Sequence, residues 1–544
     1  MTGDSSVGRG ETQTPFTDRP ESATLGIRVS AKLLIIGFDA LEATLVDRWA
    51  DEGLMPTFAS LRDRGAQVEL DNDVERIPDT IWVELGTGRR ASKIGWYWRP
   101  EQAHAGEAEI RPNEPDDFDL TAFWKIASDA GKRVAVVDVP AAPPAEVNGV
   151  LIRDWGVHSP GFGIGSSPPG LLDELRARHG DYPLPHSWEE DGPRPIGCDA
   201  PEGSQEALLA FPGTLAEAIE RKTAVLTDLL DREDWDLFIS AFVEGHCAGH
   251  QLWHFFDETS PWYDPDAPEE LKNGVRDTYV RLDAALGRVL EHAGEDATVM
   301  VILSHGMGPS NGGFQLLPEL MVRLGYSSAP SAARSIRAHL PRPVRQVIKA
   351  LIPARLKEPL KDALGTSAHP FALPQTKAAC LRCGVNGAVR VNLKGREPNG
   401  SVEPGAEYDA ICDDLVTALG ELYDKKTGEP VVEEALRTDR AYGEDRHPNI
   451  PDVIIRFRHD RPVWSATSKR VGTVSEPLRN RLFPRSGDHT AHSRAWVFGP
   501  RVERAGAQHG NVLDIAPTAL EILGVPAPDT LDGAALPLVR TALV

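Results

Sequence analysis

The 544-residue chain has no apolar run near the roughly 18 residues that a membrane-spanning helix needs, so no helix is expected to cross a bilayer. The opening stretch, MTGDSSVGRGETQTPFTDRPESATLG, lacks the apolar centre of a secretory signal and is rich in polar residues, Gly and Pro. Residues 1–29 therefore read as a disordered leader. Cysteine is scarce: Cys198, Cys247, Cys380, Cys383 and Cys412 are too few and too scattered for a disulfide framework, which fits a cytoplasmic location. Cys380 and Cys383 form a lone CxxC with no second pair to complete a four-cysteine zinc site. Positive charge is also short, with 58 Lys and Arg against 81 Asp and Glu, a formal net charge of −23. Such a field repels polynucleotides, so no nucleic-acid partner is expected. No internal repeat is present.

What the chain does have is alternation. AKLLIIGFDA reads as a buried strand and EATLVDRWADEGLMPTFASLRDRG as a helical pattern. GKRVAVVDVP, WDLFISAFV and ATVMVILSHG repeat the strand signal, with LAEAIERKTAVLTDLLDRE and VRDTYVRLDAALGRVLEHAG as helices between them. Near-continuous Val, Ile and Leu strands separated by helices imply an α/β fold with a largely parallel central sheet and helices on both faces. We divide the chain into an α/β domain whose first part is 30–326, a Pro-punctuated basic helical insert at 327–377, and a second part at 378–544. The insert carries eight Lys or Arg and two Asp or Glu between Arg334 and Asp362, suiting a solvated hairpin, a cationic lid, or a docking surface for an anionic substrate or membrane headgroup.

Ligands of such sheets gather outside the carboxyl ends of the strands. Those ends carry Asp39, Glu244 with His246, and Ser304 with His305; His489 lies in the loop RSGDHTAH before another strand. His246 and His250 are four residues apart, one face of a helix, as in HxxxH metal sites. His254 is a further turn along and, beside Trp253, Phe255 and Phe256, reads as scaffold. Thr80, in ERIPDTIWVELGTGRR, opens a helix, where a threonine serves as a nucleophile or as an N-cap.

Taken together these segments resemble the type I phosphodiesterase/nucleotide pyrophosphatase family of the alkaline phosphatase superfamily. The likeness runs from about Ala31 to Val539 through LLIIGFDA, MPTFASLRDRGA, IWVELGTGRRASKIG, HCAGHQLWH, VILSHGMGP, SGDHTAH and VLDIAPTALEILGVPAPDTLDGAAL. It implies an alkaline phosphatase-like fold and two divalent metal ions, usually zinc, flanking a Thr or Ser nucleophile. By position, one metal falls to His246, His250 and His489, and the other to Asp39, Thr80, Ser304 and His305. The chain departs from the pattern in four places. His246 replaces an aspartate, Ser304 stands in the register of another, Ile94 replaces a histidine, and the usual threonine position falls on Pro78. Two metal-binding carboxylates of the pattern are thereby missing, so the second metal should bind more weakly unless Asp488, Glu244 or Asp154 contributes.

The function implied is metal-dependent hydrolysis of small anionic phosphate esters, diesters foremost, through Thr80 or a metal-bound hydroxide. The alternatives are a catalytically silent member of the same fold that binds an anion or a partner, and a sulfate-ester hydrolase. Sulfatases on this scaffold usually carry CxPxR or SxPxR, and neither occurs near Thr80.

Overall fold

A computed structural model describes residues 31–538, apart from 74–75, 78, 99–100, 108–109, 158–160, 185–204, 261, 295, 311, 329–370, 372–374, 384–385, 459–460, 476–484, 501 and 504–506. The leader, nearly all of the basic insert and Cys198 lie outside the described residues.

Nine strands form the main sheet or flank it: β1 (Ala31–Phe38), β2 (Ala66–Asp71), β3 (Val134–Val137), β4 (Gly149–Arg153), β5 (Gly165–Ser167), β6 (Trp235–Phe242) and β7 (Thr298–Leu303), then, after a short pair given below, Arg494–Phe498 and Gln508–Asn511. The short pair is β8 (Gly306–Pro309) and β9 (Gly487–Thr490), which makes the last two β10 and β11. The sheet order is β11-β2-β10-β7-β1-β6-β3-β4-β5. The central run from β7 to β4 is parallel throughout, and β10 and β5 run against their neighbours.

The two-residue period of the strands splits the core cleanly. Leu34, Ile36 and Phe38 join one apolar cluster, and Leu33 and Ile35 join the other; Val301 and Leu303 separate from Met300 and Ile302 in the same way. Helices Ala43–Asp51 (α1), Pro56–Arg64 (α2), Gln205–Arg232, Glu244–Phe256 and Gly274–Glu291 supply the first cluster, while Ile81–Thr87, Phe123–Asp129 and Ile515–Leu523 supply the second. In chain order the later six are α3 (Ile81–Thr87), α4 (Phe123–Asp129), α5 (Gln205–Arg232), α6 (Glu244–Phe256), α7 (Gly274–Glu291) and α8 (Ile515–Leu523). Both sheet faces are therefore covered, as parallel strands require.

One expected helix is two. The pattern from Glu42 to Gly65 breaks where Gly53 turns the chain at φ 77° and Pro56 begins α2 at its first position. The end of α8 agrees with its sequence signal, since Gly524 adopts φ 66° as its C-cap. A second, four-stranded sheet, ordered 378–383, 386–391, 453–457, 432–437, packs against helix Ala406–Gly420. Cys380 and Cys383 lie on its first strand as free thiols, and the Cys383 thiol faces the Arg76 carbonyl. The segment RVNLKGREP is structural as well. Arg390 pairs with Glu397 at 2.8 Å and Arg396 with Asp452 at 2.7 Å, all four buried or nearly so.

Candidate metal centre

The carboxyl ends of β7, β1 and β6 are stapled one residue beyond the strands. The Ser304 amide donates to the Phe38 carbonyl at 3.0 Å, and the Asp39 amide to the Phe242 carbonyl at 2.8 Å. These bonds place Asp39 and Ser304 side by side, with α6 starting just after β6. His246 and His250 then sit one turn apart on that helix, both buried. His489 arrives from far along the chain because β9 pairs antiparallel with β8, setting Met307 opposite His489. Ser486 fastens the same segment to α6, its amide donating to the His250 carbonyl at 2.9 Å.

The outcome is a triangle of imidazole nitrogens. His250 Nε2 lies 3.1 Å from His246 Nε2 and 3.1 Å from His489 Nε2, and the third side is 2.9 Å. Three ligands of one tetrahedral zinc at its usual Zn–N length stand roughly 3.3 Å apart, so a small outward relaxation admits a cation. The His250 Nδ1–H donates to the Gly487 carbonyl at 2.7 Å, which leaves the Nε2 lone pair turned into the triangle. Two overlapping groups of side chains have ligand atoms within 4.8 Å of one another: His246, His305 and His489, and His250, Asp488 and His489. Burial holds the His305 imidazole neutral, its pKa pushed down to about 3.

The other expected residues divide. His305 Nδ1 is 2.9 Å from Ser304 Oγ, and Ser304 Oγ donates to Asp39 Oδ1 at 3.4 Å. Thr80 occupies the N-cap position of α3 without a side-chain capping bond; its hydroxyl donates instead to the Ile77 carbonyl at 2.9 Å. Two residues on, the Trp82 indole N–H donates to Asp39 Oδ1 at 2.7 Å. Of the three reserve carboxylates, only Asp488 joins the histidines. Glu244 accepts from the Tyr182 hydroxyl at 2.7 Å with Lys222 3.9 Å away, and Asp154 accepts from the Phe162 amide. His254 points to the backbone support of the same loop, its Nδ1 2.8 Å from Ser486 Oγ and its pKa lowered to about 4 by burial.

Sequence reasoning passed over two neighbours. Arg485 Nη2 lies 3.0 Å from His250 Nε2, with about a third of its side chain exposed, so a guanidinium stands at the edge of the triangle. Its signal was its place four residues before His489 in the same loop. Trp82 had none, because nothing local shows that an indole two residues into a helix reaches a strand end.

Among curated proteins, none matches the chain. Murine ectonucleotide pyrophosphatase/phosphodiesterase 5, solved as an inactive variant in complex with AMP, is similar at 12% identity over 93% of this chain and 98% of that one, with a TM-score of 0.46. Phosphonoacetate hydrolase from Sinorhizobium meliloti, in complex with phosphonoformate, is similar at 15% identity over 91% and 96%, with a TM-score of 0.47. Residues 33–489, most of the chain, match the family of the type I phosphodiesterases/nucleotide pyrophosphatases, and the protein belongs to that family.

Proposed function

We propose that the protein hydrolyses phosphate esters, diesters in preference to monoesters, with a divalent cation held by His246, His250 and His489. The observation that carries this reading is the triangle of Nε2 atoms, three imidazole nitrogens converging from two segments more than two hundred residues apart. A zinc-like ion bound there supplies Lewis acidity toward a phosphoryl oxygen and lowers the pKa of bound water. The chain's own groups do the rest. Arg485 offers its planar fork to the non-bridging phosphoryl oxygens, and one guanidinium matches the single charge of a diester better than the double charge of a monoester.

The Thr80 hydroxyl donates to the Ile77 carbonyl, and the Trp82 indole takes up Asp39 Oδ1. Water is the attacking group in this reading. The test is turnover of bis(p-nitrophenyl) phosphate alongside metal content by elemental analysis. His246→Ala and His250→Ala should each lose bound metal and at least about a hundredfold in kcat/KM, while Thr80→Ala keeps both. A collapse in Thr80→Ala with metal retained would restore the threonine as nucleophile. Metal uptake without turnover in the wild type would leave a binding protein.

A further inference from the structure

The position that family resemblance gives to a second cation is not built to hold one. Of its four residues, Thr80 is turned to the Ile77 carbonyl. Asp39 supplies the one carboxylate, and its Oδ1 already accepts from the Trp82 indole at 2.7 Å and from Ser304 Oγ at 3.4 Å. The indole is not a passing neighbour: a Cβ added at Gly37, two residues before Asp39, would run into the Trp82 ring. Strand β1 is thus glycine where the ring lies, and both Trp82 and Asp39 are buried. A hard or borderline dication at this place meets a single carboxylate, whose Oδ1 is already shared between two donors, together with neutral hydroxyls.

His305 faces the other way. Its Nδ1 is 2.9 Å from Ser304 Oγ and 3.7 Å from Asp39 Oδ1. Ser304 donates to Asp39, so the Ser304 oxygen is left to accept, and the Nδ1–H of His305 donates to it. This chain of bonds fixes the tautomer and leaves the lone pair on Nε2. That nitrogen is buried and has no hydrogen-bond partner among the described residues. The His305 ring packs edge-on against His489 with centroids 4.4 Å apart, and it shares a group of ligand atoms with His246 and His489 within 4.8 Å.

We propose that the centre binds a single cation through four imidazoles, His246, His250, His489 and His305. Asp39 and Ser304 orient His305 as positioning residues, and the Trp82 indole competes with any second cation for Asp39 Oδ1. An imidazole donor would thereby stand in for a missing carboxylate. The inference rests on the hydrolase reading for the first three histidines and stands apart from it for the fourth.

The experiment is zinc titration of the full chain after chelator treatment, read by elemental analysis and a competing chromophoric chelator. The wild type should saturate at one equivalent, and a second tight equivalent would overturn the proposal. His305→Ala should weaken zinc by a hundredfold or more, and Ser304→Ala, which leaves the ligand but frees its ring, by about tenfold. With Co²⁺ in place of zinc, the visible ligand-field spectrum should change in His305→Ala while circular dichroism confirms the fold. Unchanged zinc affinity and an unchanged Co²⁺ spectrum in His305→Ala would remove the fourth ligand and leave the three-histidine site intact. If instead His246→Ala keeps its zinc, the hydrolase reading itself falls. Trp82→Phe combined with Ser304→Asp restores a carboxylate and removes the indole donor, and should take up a second equivalent. Failure of a correctly folded double variant to do so would show that Trp82 and Ser304 are not what closes the position.

Discussion

Arg485 adopts φ 45°, an uncommon conformation for a residue with a side chain, and its guanidinium meets His250 Nε2. That guanidinium stands at the open edge of the histidine triangle, about a third exposed and with Asp488 Oδ1 4.0 Å away. The arrangement suits a residue that swings onto a phosphoryl group. Arg485→Ala should therefore lower kcat/KM for a diester by ten- to a hundredfold with zinc content unchanged, and Arg485→Lys should recover only part, since a point charge lacks the bidentate fork. Equal zinc loss in both variants would mean that the arginine holds the centre rather than the substrate. At this scale the sequence was legible where candidate ligands share an element, since helical spacing alone places His246 and His250 on one face. It was silent on Trp82 and Arg485, whose partners lie far away in the chain.

The elements explain why His489, from β9, lands where it does. Gly487 lies so close to α6 that an added Cβ would strike the Gly249 carbonyl oxygen, and that approach lets the Gly487 carbonyl accept from His250 Nδ1. Gly249 in turn presses on Met307 of β8. Gly487→Ala is expected to push the β8/β9 pair off the helix, break the His250 bond and weaken zinc by at least tenfold; isothermal titration would show it. Retained affinity would mean that β9 tolerates a shift without moving His489. The strands β1, β6 and β7 were readable because burial on both faces makes them continuous apolar runs. The β8/β9 pair was not, because its halves are short, contain glycine and lie nearly two hundred residues apart. The division of α1 from α2 was present as Gly53 and Pro56 but was outweighed by apolar periodicity across the gap.

Over the whole molecule, the proposed ligands come from α6, the end of β7 and β9, segments that only the folded chain brings together. An ion that binds the native state and not the unfolded one stabilises by mass action, about 4 kcal/mol at a free concentration a thousandfold above its Kd. Chelation should lower Tm at pH 8 accordingly. Acid should erase the difference, because ligand imidazoles must be neutral and zinc is released as pH falls below the ordinary histidine value of about 6.5. The metal-free protein should lose stability over the same range for a second reason. His254 is buried neutral with its pKa near 4, while in the unfolded chain it titrates at the ordinary value. Its folded value is depressed, so the unfolded state binds the extra proton first, and stability present above about pH 6.5 is lost as pH falls toward 4. Thermal melts at pH 8, 6.5 and 5, with and without chelator, should therefore show two curves that both fall and converge in acid. A gap that persists at pH 5 would argue for carboxylate rather than imidazole ligation, with Asp488 and Asp39 the residues to test.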